Sequence, residues 1–242
     1  MKERSRSLQR GLVLLYEDRD IIVVDKPPGL LSIASSGERD KTAYWILYEY
    51  LCTKGEKRRP AVVHRLDRDT SGVMIFAKSE QIKKKLMDNW DALVTERRYT
   101  AVVEGSMDAW RRDGKTEGVI DAPLGEGPGG KVIVTEIGRR AVTRWKLLGS
   151  FSKKGTFYSL LSLELETGRR NQIRAHLAWI GRPVAGDKKY GAKTDPFKRL
   201  CLHAEKIAFT HPGAGRLLEF EVPAPWSVHD KGGFKDSRNP CT

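Results

Sequence analysis

The residue types best suited to chemistry in this chain are concentrated in residues 64–72, which read HRLDRDTSG. This segment holds two carboxylates, two arginines, a histidine and two hydroxyl groups, and Leu66 is its one large apolar side chain. An ionised carboxylate such as Asp67 could act there as a nucleophile or help to remove a proton. Asp, Ser, Thr and Gly are also common in turns, so a solvated turn without chemistry is the alternative interpretation.

The elements around this segment must position it. Residues 61–63 and 73–77 are short apolar runs of the kind that form buried strands. Because several strands in the middle of the chain follow one another closely, we expect an antiparallel sheet there. Beside the two flanking runs, strands are predicted at residues 11–17, 20–24, 98–104, 132–136, 140–148, 157–166, 201–209 and 217–222.

Apolar residues that recur at helical spacing predict three helices. Ser79 is suited to cap the second helix and Thr167 the third, which would end before Gly181. In the third helix, Arg170 and Arg174 would share one face at a spacing of four residues. The predicted helices cover residues 42–51, 79–93 and 167–180.

One glycine-rich segment resembles a phosphate-binding loop only superficially. Residues 125–131 read GEGPGGK, but Val132 follows where a P-loop needs Ser or Thr, and a strand is predicted next instead of a helix. We therefore expect a hairpin loop there.

The charge of the chain indicates a polyanionic partner. Its 242 residues include 44 Lys and Arg against 31 Asp and Glu, a formal net charge of +13. Since dibasic pairs occur throughout the chain instead of in one tail, a broad basic surface is expected. Nucleic acid is the first candidate partner and an anionic membrane surface the second. Any single basic pair is more simply explained as a solvated face.

Cysteine and histidine usage indicates neither a disulfide framework nor a metal centre. The three cysteines, Cys52, Cys201 and Cys241, are far apart in the chain, and the five histidines lack the spacing of zinc ligands. The sequence also has no apolar run of membrane-span length and no signal-peptide core. We therefore expect a cytoplasmic protein that binds no metal and does not associate with a membrane.

Five blocks of this sequence resemble the motifs of the RluA-type pseudouridine synthases and follow the order of those motifs along the chain. Together they extend over roughly residues 12–226, which makes the resemblance specific, whereas any one block alone would be a hypothesis. The blocks are HRLDRDTSGVMIFAKS at residues 64–79, VVDKPPGLLS at 23–32, RRYTAVVEG at 97–105, TGRRNQIRAHLAWIGRPVAGDKKYG at 167–191 and RLCLHAEKIAFTHP at 199–212.

The resemblance implies an α+β fold of the pseudouridine synthase type, with a mixed, largely antiparallel sheet flanked by helices and a central basic cleft. It also implies an intramolecular transferase that converts uridine in structured RNA, ribosomal or transfer RNA, to pseudouridine without a cofactor. We expect a monomer with a basic arm at residues 1–11, a catalytic domain at 12–226 and a polar tail at 227–242. Because only a short segment precedes Leu12, we expect a form without the S4 RNA-binding domain that many members carry.

Three residues correspond to the catalytic positions of the family. Asp67 corresponds to the catalytic aspartate, Tyr99 to the tyrosine near the uracil, and Arg174 to the arginine that pairs with the aspartate. Chemistry gives Asp67 a reason to need a partner such as Arg174, because burial disfavours an ionised carboxylate unless a guanidinium group lies nearby. Without the resemblance, an exposed helix cation is the simpler interpretation of Arg174, and a core tyrosine is the simpler interpretation of Tyr99. The tyrosine offers a flat ring to the base and a hydroxyl group to a proton.

Five further residues are assigned to substrate or RNA binding. Arg65 corresponds to a position that fills the gap left by the flipped-out base, and Leu202 to an apolar residue of the pocket. Asn171 replaces the family's usual histidine and retains hydrogen bonding without a charge. His64 and Arg170 complete the set, although a structural role is the simpler interpretation of His64.

Two alternative functions remain open from the sequence. A non-catalytic RNA-binding module would explain the basic charge but not the joint presence of an aspartate, a tyrosine and an arginine at motif positions. A hydrolase that cleaves the nucleoside bond would usually need two carboxylates, and Asp69 would then have to assist Asp67.

Overall fold

The computed structural model describes residues 5–34 and 42–226. The chain forms two compact units: the first comprises Met1–Arg97 and Ala204–Val222, and the second comprises Arg98–His203 and Pro223–Thr242. The predicted tail at 227–242 and the first four residues of the predicted arm lie outside the described residues. In the part described, no helix combines the length and the apolar character needed to span a membrane.

The elements alternate between strands and short helices. The helices are α1 (Ala43–Thr53), α2 (Glu80–Asp88), α3 (Trp90–Leu93), α4 (Asp108–Arg112) and α5 (Gln172–Trp179). The strands are β1 (Arg6–Ser7), β2 (Val13–Glu17), β3 (Ile21–Lys26), β4 (Ala61–Val62), β5 (Ser71–Ala77), β6 (Val94–Glu104), β7 (Glu117–Asp121), β8 (Leu124–Glu126), β9 (Val132–Val134), β10 (Val142–Lys153), β11 (Thr156–Leu165), β12 (Leu202–Thr210) and β13 (Leu217–Glu221).

The first unit is built on strands in the order β1-β2-β3-β5-β12, with β4 beside β5 and β13 beside β12. All seven residues of β5 are buried, which agrees with the continuous apolar run at residues 73–77. One core cluster includes Ile75 of β5, Leu86 of α2 and Phe209 of β12. The strand that follows residues 64–70 is therefore a fixed support for them.

The second unit contains strands in the order β6-β11-β10-β7, and a separate hairpin of β8 and β9. Neighbours β6, β11, β10 and β7 are antiparallel. Residues 127–131 connect the hairpin strands, so the predicted hairpin loop is confirmed. A core cluster that includes Leu161 of β11, Leu177 of α5 and Trp226 is buried in this unit. The predicted α+β fold with a largely antiparallel sheet is confirmed.

Two predicted helices differ from those observed. The helix predicted at residues 79–93 is interrupted at Asn89, whose side chain donates to the Lys85 carbonyl and whose φ and ψ of −119° and 25° are not helical. A side chain that competes for a helical carbonyl favours such a break. Ser79 caps α2 as expected, because its hydroxyl oxygen accepts from the Ile82 amide.

The third predicted helix begins five residues later than expected. Thr167 is not its cap, because the hydroxyl group accepts from the Val142 amide and donates to the side chain of Gln172. Asn171 precedes α5 in the left-handed region with φ 52°. Arg170 therefore lies outside the helix, and the predicted shared face with Arg174 is wrong.

Candidate active site

The backbone on either side of Asp67 is fixed by residues 26–32 of the first unit. Ser32 Oγ donates to the Leu66 carbonyl at 2.7 Å and accepts from the Leu66 amide at 3.2 Å. On the other side, the Gly29 amide donates to the Arg68 carbonyl at 2.9 Å. The two segments belong to two of the blocks that resemble family motifs, and these contacts hold the two blocks together.

Lys26 reinforces this arrangement from inside the unit. Its side chain is buried, and Nζ lies 3.0 Å from the Pro27 carbonyl oxygen, 2.7 Å from that of Leu30 and 2.9 Å from that of Arg68. An ammonium group carries three N–H donors, so three carbonyl acceptors match it in number. Lys26 therefore connects the KPPGL turn to the residue directly after Asp67.

Asp67 itself begins a tight turn and is partly buried. Its carbonyl oxygen accepts from the Thr70 amide at 3.2 Å, while Arg65 and Asp69 are exposed. The turn leads into Gly72, whose φ of 116° suits only glycine. A Cβ atom at Gly72 would overlap the backbone of Ala204, 2.7 Å from its carbonyl carbon. The loop is thus closely fitted to β12 at its end.

His64 fixes the start of the same loop. Its Nε2 accepts from the Ile75 amide at 3.0 Å, and its ring lies 5.2 Å from that of Trp90 between centroids. Burial, with a smaller contribution from the nearby Arg97, lowers the pKa of His64 from 6.5 to about 4. The imidazole is therefore neutral near pH 7 and carries its proton on Nδ1.

Tyr99 and Leu202 are residues of the second unit, Tyr99 on β6 and Leu202 at the start of β12, most of which lies in the first unit. Tyr99 lies on β6 opposite Leu163 of β11 and is partly buried against the core cluster. Leu202 is the first residue of β12, and its side chain is buried in that cluster. Both side chains pack against apolar residues of this core cluster, as the wall of a pocket requires.

Arg174 lies on α5 and forms a buried ion pair within the second unit. Its Nε donates to Oδ2 of Asp187 at 2.6 Å and its Nη2 to Oδ1 at 2.8 Å. Both side chains are almost inaccessible to solvent. The guanidinium group also lies 4.9 Å from the centroid of the Tyr190 ring. Two parallel hydrogen bonds and a ring fix the plane of this guanidinium group.

Asp187 has no role that the sequence predicts. The residue lies near the end of the block at residues 167–191, but its partner lies thirteen residues earlier on α5, and no local pattern predicts that contact. Asp187 Oδ1 also lies 3.3 Å from the Tyr190 amide, so one carboxylate holds both the arginine and the turn beneath it.

Asn171 and Arg170 have structural contacts beside α5. Asn171 Nδ2 donates to the Tyr190 hydroxyl oxygen at 3.2 Å, and its Oδ1 accepts from Arg174 Nη1 at 3.4 Å. Arg170 is exposed and its Nη2 donates to the Gly130 carbonyl at 2.9 Å. The amide that replaces the family's histidine therefore bridges the ring and the guanidinium group.

The predicted residues are divided between the two units. His64, Arg65 and Asp67 lie in the first, and the other five lie in the second. Pairing of Asp67 with Arg174 stays a prediction, as does the basic cleft. No cluster of three or more potential metal ligands occurs among residues 5–34 and 42–226.

A family model described as RNA pseudouridylate synthase matches residues 20–179. The chain belongs to this family. The chain is 38% identical over 221 residues to an uncharacterized RNA pseudouridine synthase, YlyB, of Bacillus subtilis (strain 168), covering 88% of this chain and 69% of the relative. It is 34% identical over 240 residues to ribosomal large subunit pseudouridine synthase D of Vibrio cholerae, covering 93% of this chain and 71% of the relative.

Solved structures agree on the fold. Human RNA pseudouridylate synthase domain containing 1 matches with a TM-score of 0.72 and 23% identity, over 89% of this chain and 84% of that one. Human RNA pseudouridylate synthase domain containing 4 matches with a TM-score of 0.68 and 22% identity, over 88% of each. The predicted family and activity are confirmed: the protein is an RNA pseudouridine synthase, an isomerase that acts on RNA.

Proposed function

We propose that Asp67 is the catalytic nucleophile and that the substrate is a uridine in structured ribosomal RNA, with transfer RNA as the second candidate. The backbone anchoring of Leu66 and Arg68 is the observation that carries the assignment of Asp67, and the similarity to ribosomal large subunit pseudouridine synthase D favours the ribosomal substrate. A nucleophile must be held within a fraction of an ångström of its reacting geometry, and this anchoring limits the freedom of the intervening residue.

The proposed reaction is balanced without a cofactor. A carboxylate oxygen of Asp67 bonds to C1′ as the C1′–N1 bond breaks, and the bonding electrons leave with the uracil. The uracil turns, C5 forms a bond to C1′, and the carboxylate departs. The proton on C5 is then lost and N1 is protonated, so the product is an isomer of the substrate.

Tyr99 and Arg174 are proposed to assist this reaction. A uridine within a folded RNA must leave its stack to be reached, and the Tyr99 ring can support the extruded base. Its hydroxyl group can also relay the proton from C5. Arg174 is proposed to pair with the Asp67 carboxylate, and its two hydrogen bonds to Asp187 support a fixed orientation of the guanidinium group.

The remaining residues are proposed to bind RNA. Arg65 is exposed next to Asp67 and is suited to fill the position that the flipped base leaves. Leu202 would line the pocket, and Arg170 would contact phosphate. His64 and Asn171 would act by holding the loop and Arg174 in place, which their hydrogen bonds support. A monomeric state and a cytoplasmic location stay predictions.

Substitution of Asp67 by Asn tests the proposal, with Asp69→Asn as the matched control two residues away. We expect tritium release from RNA containing [5-³H]uridine to fall by at least about 1,000-fold in Asp67→Asn, since the nucleophile is lost. RNA affinity should stay within a few fold, and Asp69→Asn should retain activity.

Three outcomes would contradict this assignment. Wild-type rates in Asp67→Asn would exclude the residue as nucleophile. Free uracil as the wild-type product would favour the nucleoside-bond hydrolase. Release of tritium only from transfer RNA, in a comparison of purified RNA classes from cells without this gene, would replace the ribosomal substrate with the second candidate.

A further inference from the structure

A cavity of about 620 Å³ opens in the first unit, away from residues 64–72. Its walls come from β2 and the turn after it, from the chain that follows α1, and from Lys78 at the end of β5. β5 begins at Ser71, and the seven steps of extended chain from there to Lys78 span roughly 23 Å at about 3.3 Å each. The cavity therefore lies at the opposite end of β5 from the Asp67 turn.

The floor of the cavity is a compensated ion network. Lys78 is buried, and its Nζ lies 2.8 Å from carboxylate oxygens of both Glu17 and Glu56. Lys54 Nζ lies 2.9 Å from both oxygens of Glu17. Burial raises the pKa of Glu17, but hydrogen bonds from Lys78 and Lys54 outweigh this and lower it overall. Two ammonium groups thus neutralise two carboxylates.

The rim of the cavity carries surplus positive charge. Arg6, Arg19 and Arg58 line it, and all three are exposed. None of these guanidinium groups has a carboxylate partner among residues 5–34 and 42–226. Arg58 donates to the Arg19 carbonyl at 3.1 Å, which brings the two residues together. The third carboxylate of the cavity, Asp18, accepts hydrogen bonds from the amides of Asp20 and Ile21 and from the Tyr16 hydroxyl group, and its Oδ2 lies 2.9 Å from His211 Nε2.

We propose that this cavity, formed around Arg6, Arg19 and Arg58, binds backbone phosphates of the substrate RNA at a distance from the reacting uridine. This inference rests on the proposed function, since it takes the RNA of that reaction as the ligand. Guanidinium groups bind phosphate oxygens through paired N–H donors, and three such groups around one concave surface suit a phosphodiester chain.

The position of the site indicates what it contributes. The length of β5 from Ser71 to Lys78, roughly 23 Å, exceeds the Debye length of about 8 Å at physiological salt. The rim therefore does not act on the chemistry electrostatically. Its contribution is binding energy and orientation of the RNA segment beside the target. Loss of the rim should therefore raise KM and leave kcat within twofold.

The test compares two double variants of the full chain that remove the same charge. Arg19→Gln/Arg58→Gln changes the rim, and Lys84→Gln/Lys85→Gln removes two exposed cations of α2 outside the cavity. The probe is a fluorescein-labelled RNA stem–loop of about 30 nucleotides with uridines in its loop, titrated between 50 and 200 mM KCl. Thermal unfolding of each variant verifies its fold.

We expect the rim variant to bind roughly 3- to 10-fold more weakly and its log–log salt slope to decrease by about 1 to 2 in magnitude, since each phosphate contact releases counterions. The α2 variant should keep both values. Equal losses in the two variants, or no loss in either, would overturn the proposal and leave only a diffuse basic surface.

A second measurement separates RNA from small anions. Isothermal titration of the wild type with uridine 5′-monophosphate and with inorganic phosphate should give no micromolar binding. Micromolar binding that the rim variant loses would overturn the RNA assignment and indicate a mononucleotide site. Because these measurements do not depend on catalysis, wild-type rates in Asp67→Asn or free uracil as the product would contradict the proposed function alone.

Discussion

Asp67 and Arg174, the two charged side chains of the proposed reaction, are positioned by different kinds of contact. In the first unit, Ser32 and Lys26 hold the backbone of Leu66 and Arg68, on either side of Asp67. In the second unit, Arg174 is held through its own guanidinium group by a buried carboxylate. The carboxylate side of the site therefore depends on backbone shape, and the arginine side on charge compensation.

This difference predicts that different kinds of substitution disrupt the surroundings of Asp67 and those of Arg174. A side chain that distorts the backbone should damage the Asp67 loop, whereas loss of one charge should damage the surroundings of Arg174. The substitutions below separate the two cases, from the largest expected effect to the smallest.

Substitution of Gly72 by Ala should have the largest effect. The new Cβ would overlap the Ala204 backbone at a φ of 116°, so the free energy of unfolding should fall by about 4 kcal/mol or more. Gly29→Ala is the control, because its φ of 82° is strained but its Cβ would meet open space, which should cost about 1 kcal/mol. Urea unfolding followed by circular dichroism measures both, and equal losses would contradict the steric argument.

Removal of Asp187, the buried counter-charge of Arg174, should have the next largest effect on stability. Asp187→Asn leaves the Arg174 guanidinium buried without its partner, which should lower the free energy of unfolding by about 3 to 5 kcal/mol. Glu166→Gln, in an exposed pair with Arg144, should cost at most about 1 kcal/mol.

A double variant then distinguishes stability from activity at this pair. Arg174→Met/Asp187→Leu should regain much of the lost stability, since neither charge remains buried, but should stay inactive. Recovery of tritium release in the double variant would exclude Arg174 from the reaction.

The free energy of unfolding should depend on pH through His64, which lies at the start of the Asp67 loop. Because the pKa of His64 is lowered to about 4, the unfolded state binds its proton first as the pH falls. The stabilising contribution is complete above about pH 6.5 and is lost progressively towards pH 4, by at most about 3 kcal/mol. In His64→Gln the free energy of unfolding should vary less between about pH 4 and 6.5. Part of the pH dependence should remain, because burial also lowers the pKa of His176. An unchanged pH profile would contradict the neutral state of His64.

The smallest expected effect on stability is that of Ser32→Ala. Loss of both hydrogen bonds to Leu66 should lower the free energy of unfolding by about 1 to 3 kcal/mol and reduce the single-turnover rate, because Asp67 becomes less well positioned. Ser79→Ala removes a helix cap at a cost of about 1 kcal/mol and should leave that rate unchanged. Equal rates in the two variants would show that the anchoring has no catalytic consequence.

Local patterns predicted most of the fold. Alternating or continuous apolar runs located the main strands, and the glycine-rich loop at 125–131 was predicted because hairpin chemistry is local. The start of α5 could not be predicted, since Thr167 is drawn to Val142 on a strand that lies 25 residues earlier. The break at Asn89 likewise depends on a side-chain contact that competes with helical periodicity.

In the candidate site, the motif residues could be predicted but the residues that support them could not. The motif positions of Asp67, Tyr99 and Arg174 could be assigned by resemblance, but the residues that support them required coordinates. Ser32, Lys26 and Asp187 act through contacts between segments that are distant in sequence, and neither composition nor spacing encodes such a contact. Asp187 is the clearest omission, because a buried arginine needs a counter-charge and the sequence offered several candidates.

The environment of Lys26 has a consequence for the ionic conditions that the enzyme tolerates. Three carbonyl oxygens around one positive centre resemble the coordination shells by which other proteins retain a potassium ion. Here the cation is tethered to the chain, so it does not exchange with the medium. We therefore expect the geometry around Asp67 to be independent of the potassium concentration, even though RNA binding weakens as salt rises.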